Sequence, residues 1–132
     1  MKTKPILSVS AVIEVGAGLA LLVSPALAVS ILIGAPFDSP ADSIVGRVAG
    51  AALIALGLAC WSARDDGLSR AAKGLVAAML FYNVVAVLMI AGAGIFWHLF
   101  GIGLWPAVVL HAAMGIWCLA RLLTERRSKS TT

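Results

Sequence analysis

Four apolar stretches, each long enough to cross a bilayer, take up most of this chain. They cover residues 5–24, 43–63, 74–94 and 103–123, and a transmembrane helix needs ~20 mostly apolar residues. With 61% hydrophobic and only 12% charged residues, the chain has too few polar side chains to cover a soluble surface. We therefore predict an all-α integral membrane protein, a four-helix bundle that forms a single domain over residues 1–123.

The basic residues predict the orientation of this bundle. The loops after the first and third stretches contain no Lys or Arg. Cytoplasmic loops of membrane proteins are enriched in Lys and Arg, so both termini and the middle loop are expected to be cytoplasmic, in the inner membrane of a bacterium. Nine of the ten basic residues fall on that side, all except Arg47: Lys2, Lys4, Arg64, Arg70, Lys73, Arg121, Arg126, Arg127 and Lys129.

The end of the chain, residues 124–132, is a basic tail that we expect to be disordered and to lie near anionic lipid. The net charge of +4 does not indicate nucleic acid binding. The basic residues flank apolar segments and do not form a patch with interleaved aromatic side chains. The expected partners are membrane lipid and either further copies of this chain or other membrane subunits.

Pro25 interrupts the first apolar run and is expected to end or kink its helix. Residues 26–33 are too short to span, and we expect a kinked continuation or a short helix at the outer face. A cleaved secretory signal is the competing interpretation, because Ala26-Leu27-Ala28 resembles a cleavage site. Against it, the apolar run is longer than the core of a usual signal and contains Glu14.

Three polar side chains from three different stretches fall at nearly the same depth. A helix rises ~1.5 Å per residue, which places Glu14, Asn83 and His111 each roughly 15 Å from the cytoplasmic side. Tyr82 is at the same depth but points about 100° away from Asn83 around the helix. Arg47 is closer to the outer surface. We predict that the three mid-depth residues form the polar core of the bundle.

Each of these residues has a structural and a functional interpretation. Ionisable groups inside a membrane are functional by default, so Glu14 and His111 are candidates for a ligand or proton site, and the further candidates are Asn83, Tyr82 and Arg47. Asn83 is more typical of a hydrogen bond between helices. Arg47 is either an anchor at the interface, a partner of Asp38 or Asp42, or a partner of Glu14.

Small residues flank the polar ones on the same helical faces. Gly18 follows Glu14 by four residues, Gly115 follows His111 by four, and Gly46 and Gly50 surround Arg47. Such spacing lets helix backbones approach closely, within the bundle or between subunits.

The sequence favours a protein without enzymatic activity. It contains no phosphate-binding loop, no zinc-protease motif, no CxxC and no nucleophile elbow. Glu14 and His111 alone make a weak metal site, and His98 and His111 differ in depth, which disfavours a haem with two histidine ligands. Cys60 and Cys118 are expected to be reduced packing residues. We predict no catalytic residue, no cofactor and no metal.

The whole chain resembles the DoxX-like superfamily of small bacterial membrane proteins with four spans. The likeness rests on its length, on the break at Pro25, and on Gly46-Arg47-Val48-Ala49-Gly50 opening a second span that closes at residues 61–64. The resemblance implies an accessory membrane subunit of a redox system or an assembly factor.

A shorter likeness concerns the small multidrug resistance transporters. Their single essential glutamate stands in the first of four spans, in a context similar to Glu14-Val15-Gly16. This resemblance implies proton-coupled transport through Glu14. The glycine falls one residue early here, the charge bias is strong, and Tyr82-Asn83 would have to replace their third-span motif.

Three hypotheses about function follow. The leading one is a non-enzymatic accessory or assembly subunit with a polar core. The alternative is a proton-coupled transporter of small or cationic amphipathic molecules, and a further one is a subunit that binds a quinone or another lipid. A closed core favours the first hypothesis, a cavity reaching Glu14 from both sides the second, and a groove facing lipid the third.

Overall fold

The computed structural model describes residues 3–37, 39–67 and 69–129, with the side chains of 125–129 left out. The described residues form five helices and no strand: α1 (Lys4–Val23), α2 (Pro25–Ile33), α3 (Pro40–Ala63), α4 (Arg70–Phe96) and α5 (Leu104–Lys129). All but α2 are long and apolar enough to cross a membrane. The prediction of an all-α protein with four apolar helices of membrane-spanning length is confirmed.

Capping residues make two of the long helices start earlier than the apolar pattern indicates. Ser39 and Asp42 form a capping box at the start of α3, where Asp42 N donates to Ser39 Oγ at 3.0 Å and Ser39 N donates to Asp42 Oδ2 at 3.3 Å. Ser69 Oγ accepts a hydrogen bond from Ala72 N at the start of α4. These bonds satisfy amide groups that a helix leaves free at its first turn, so the helices begin at Pro40 and Arg70.

The other helix ends follow local breakers. Pro25 starts the short helix α2 directly after α1, and Gly34, with φ of 69°, ends it. The expectation of a disordered tail is wrong for residues 124–129, because α5 continues to Lys129. The residues there include Glu, Arg and Lys, all good helix formers, and they extend a helix that is already nucleated.

The long helices pack as two pairs. α1 packs most closely on α3, and α4 on α5, whereas the two pairs approach each other less closely. We call the interface between the α1–α3 pair and the α4–α5 pair the seam. Buried apolar side chains fill its lower half, towards the basic ends of the helices: Ile6, Leu7, Cys60, Val76, Met79, Met114 and Cys118.

Glycines bring α1 and α3 together. A Cβ atom added to Gly18 would lie 2.6 Å from the carbonyl oxygen of Gly50, and one added to Gly50 would lie 2.6 Å from that of Gly18. At Gly57 an added Cβ would lie 2.7 Å from Val15 Cγ2. The two backbones are therefore in direct contact, as small residues allow in membrane helices.

The helix α2 covers one end of the bundle. It contacts all four long helices, and Gly103 N donates a hydrogen bond to Ile31 O at 2.8 Å. We call α2 and the connection 97–103 the α2 cap. It closes the end at which α1 and α4 finish, the end predicted to face outwards.

The opposite end is tied by polar contacts around the α3–α4 connection. Thr3 Oγ1 donates to Gly67 O at 2.6 Å, and Lys4 Nζ lies 2.8 Å from Asp65 Oδ1. The hydrogen bond and charge of Lys4 hold the pKa of Asp65 below its usual value. These contacts attach the start of α1 to the end of α3.

The Lys4–Asp65 pair predicts a small acid-dependent loss of stability. A carboxyl whose pKa is lower in the folded state stabilises the fold above its unfolded pKa, and this contribution disappears as the pH falls below about 4. The measurement is thermal unfolding in detergent between pH 3 and pH 7. We expect the Tm to fall slightly less on acidification in Asp65→Asn than in wild type. Asp66→Asn is the matched control. Identical pH profiles for wild type and Asp65→Asn would contradict the prediction.

Candidate functional site

A hydrogen bond between α4 and α5 joins two of the predicted polar residues. His111 Nδ1 lies 2.8 Å from Asn83 Oδ1, and Asn83 Nδ2 donates to Met79 O at 2.7 Å. Because the amide nitrogen of Asn83 is bonded to Met79, its oxygen acts as the acceptor, and His111 donates from Nδ1. Nε2 of a neutral His111 is then an acceptor.

Tyr82 connects this pair to Glu14. The rings of Tyr82 and His111 meet edge to face, with centroids 5.6 Å apart and an interplanar angle of 79°. The Tyr82 side chain also lies close to the Glu14 carboxyl. Since Glu14 lies on α1 and Tyr82 on α4, this approach crosses the seam. We call Glu14, Tyr82, Asn83 and His111 the polar cluster.

The polar cluster is enclosed by the protein's own helices. The exposed fractions of Glu14 and Asn83 are 2% and 1%, while Tyr82 and His111 are half-buried. The sequence predicted a group of Glu14, Asn83 and His111, and the structure places Tyr82 beside Glu14 as well. Neighbouring donors and acceptors of this kind stabilise helix packing, and they also provide groups that can hold or pass a proton.

Arg47 lies apart from the polar cluster. Its side chain is exposed on α3, and it forms no ion pair with the residues that the structure describes. Asp42 caps α3 and does not pair with Arg47, and Asp38 lies outside the described residues. A surface arginine near a helix end extends its charge towards the lipid headgroups, so an interfacial anchor and a partner of Asp38 both stay predictions for Arg47.

Two cysteines belong to the surroundings of Glu14. Cys60 of α3 lies close to both Glu14 and Cys118 of α5. Both thiols are free and fully buried. Among the described residues, no group of three or more His, Cys, Asp or Glu side chains is placed to hold a metal ion.

A groove between α4 and α5 opens towards the surrounding lipid. Its volume is about 280 Å³, and its surface is almost entirely carbon. Several of its lining side chains are exposed on the outside of the bundle: Val84, Leu88, Ile116 and Leu119. Asn83 and His111 are among its lining residues, but because almost no polar surface is accessible in it, the groove fits a hydrocarbon chain and not a polar headgroup.

Sequence reasoning missed two features of this region. It named Gly115 only as a small flanking residue, whereas Gly115 and Ala112 form part of the groove. It also did not single out Ser10, which is buried one helical turn from Glu14. The shared i, i+4 spacing of Ser10 and Glu14 was the available signal for the second feature.

Comparison with protein-family models, with curated proteins and with solved structures gives no match for this chain. The resemblances to the DoxX-like proteins and to the small multidrug resistance transporters therefore stay predictions.

Proposed function

We propose that this protein is a non-enzymatic subunit of a bacterial inner membrane, with both termini cytoplasmic, that supports or assembles other membrane components. The observation that carries the proposal is the burial of polar residues in the middle of the bundle. Glu14 and Asn83 are enclosed, and Asn83 bonds to both His111 and Met79 O within the bundle. Polar groups paired in this way fix one arrangement of helices.

The outside of the bundle supports the same proposal. Large apolar side chains are exposed on every long helix, among them Val12, Val48, Phe81 and Ile116. In a membrane, such faces contact either lipid or other helices, and van der Waals packing suffices for association. The subunit would then contribute a rigid apolar surface to a larger assembly.

Extraction from native membranes in mild detergent tests this proposal. We expect the tagged chain to elute in a complex larger than its own micelle, with defined further copies or other subunits identified by mass spectrometry. Glu14→Gln should leave that complex intact, because glutamine keeps the size and the polarity of the side chain. A chain that elutes alone from native membranes would contradict the proposal.

The α4–α5 groove favours a second candidate, a subunit that binds the hydrocarbon chain of a quinone or another lipid. Ligand pockets usually exceed ~300 Å³, so a groove of about 280 Å³ holds part of a long molecule and leaves the rest in the bilayer. No polar group of the ligand is needed beside Asn83 and His111, because these two side chains already bond each other.

Filling the groove tests this second candidate. A Cβ added to Gly115 would meet only Asn83 Cβ, at 3.6 Å, so Gly115→Ala should fold normally and Gly115→Leu should occupy the groove. We expect native mass spectrometry to show a bound lipid or quinone in wild type and its loss in Gly115→Leu. Gly16→Leu is the control, since nothing lies within 4 Å of an added Cβ there. Equal retention in both leucine variants would contradict the candidate.

A further inference from the structure

The hydroxyl of Ser10 lies in the interior without a protein partner. Its exposed fraction is 1%, and Ser10 Oγ forms no hydrogen bond with any residue that the structure describes. A buried hydroxyl without a partner loses its hydration without replacement. Such a group in a native protein calls for an explanation, and a bound water molecule or ion is a frequent one.

Ser10 and Glu14 share one face of α1. They are four residues apart, so their side chains are neighbours along the helix. Ala11 and Gly18 lie against α3, at Gly57 and Gly50. Glu14 contacts Tyr82 of α4 instead, which places the Ser10–Glu14 face on the seam.

The seam is the part of the bundle where helices are held apart by side chains. α1 has close backbone contact with α3 but little with α4 or α5. A carboxyl has two oxygens that accept several hydrogen bonds, and Tyr82 is a polar neighbour of Glu14 on one side only. The carboxyl of Glu14 and the hydroxyl of Ser10 together offer the two to four polar contacts that a buried water needs.

We propose that a water molecule binds in the seam between the Ser10 hydroxyl and the Glu14 carboxyl. The water donates one hydrogen bond to the carboxyl and forms a second one with the Ser10 hydroxyl, so that both groups have a partner. The polar cluster thereby extends one helical turn from Glu14 towards the basic end of the bundle. This site is independent of whether the protein acts as an accessory subunit.

Infrared difference spectroscopy on the purified full-length protein tests the site. The band of the Glu14 side chain is identified by its loss in Glu14→Gln, and bound water by the shift of its O–H stretch in H₂¹⁸O. We expect an isotope-sensitive water band in wild type that disappears in Ser10→Ala, together with a shift of the Glu14 band. Ser62→Ala is the matched control, because that hydroxyl is exposed and donates to Leu58 O.

Thermal stability gives an independent measure. If water satisfies Ser10, Ser10→Ala removes a contact of Glu14 and lowers the Tm by a few degrees. A higher Tm in Ser10→Ala, with both infrared bands unchanged, would overturn the proposal, because it is the result expected for a hydroxyl without any partner. A Glu14 band that changes only when Na⁺ is added would also overturn it, in favour of a cation.

Discussion

Gly50→Leu is expected to separate α1 from α3 and to abolish the folded bundle. The backbones of Gly18 and Gly50 are in contact, and even a single Cβ at position 50 would lie 2.6 Å from Gly18 O and 2.7 Å from Leu22 N. A backbone cannot move aside as a flexible side chain can. Overpacking in cores costs about 1–3 kcal/mol when side chains can adjust, and we expect a larger loss here, about 3 kcal/mol or more.

The measurement is reversible unfolding in mixed micelles, followed by tryptophan fluorescence. Gly50→Ala should already destabilise the protein, and Gly50→Leu should not give a folded species. Gly16→Leu on the outer face of α1 should unfold like wild type or at a slightly higher denaturant concentration, because leucine is the better helix former. If Gly50→Leu matched Gly16→Leu, the close packing of α1 on α3 would be refuted.

Asn83→Leu is expected to destabilise the bundle by about 1–2 kcal/mol. The substitution keeps an apolar side chain of similar size but leaves His111 Nδ1–H without its acceptor, 2.8 Å away in the native protein. His111→Leu should cost a similar amount, because it leaves Asn83 Oδ1 unpaired. Removing both partners leaves no unpaired group at this point.

A double-mutant cycle on Asn83 and His111 separates the energy of their interaction from the costs of the two single substitutions. We expect the double variant to be more stable than the sum of the single effects predicts, by about 1 kcal/mol. Asn83→Leu combined with Ser62→Ala on the exposed face of α3 is the control, for which additivity is expected. Additive losses in the Asn83 and His111 cycle would show that the hydrogen bond does not contribute to stability.

The sequence predicted the helices well because their determinants are local. Length and hydropathy identify a span, and Pro25 and Gly34 mark the limits of α2 through their backbone preferences. The early start of α3 at Pro40 depends on the Ser39–Asp42 capping box, which apolar patterning does not register. The helical end of α5 was missed because charged residues were interpreted as disorder.

The sequence predicted the depth at which the residues of the polar cluster lie, but it did not predict which of their side chains are neighbours. Counting residues along each helix brings Glu14, Asn83 and His111 to one level. Which side chains meet depends on the rotation and pairing of the helices, and these follow from glycine contacts such as Gly18 on Gly50. The structure therefore places Tyr82 beside Glu14. The position of Tyr82, about 100° around the helix from Asn83, did not predict this neighbour.

Proton flux through Glu14 is the most direct test of the proposed function. Purified wild type and Glu14→Gln would be reconstituted into liposomes with a pH-sensitive dye inside, and a pH gradient applied with and without tetraphenylphosphonium, a lipophilic cation. A closed structural cluster predicts equal and low flux in both proteins. Flux in wild type that depends on the cation and is absent in Glu14→Gln would contradict the account and establish proton-coupled transport.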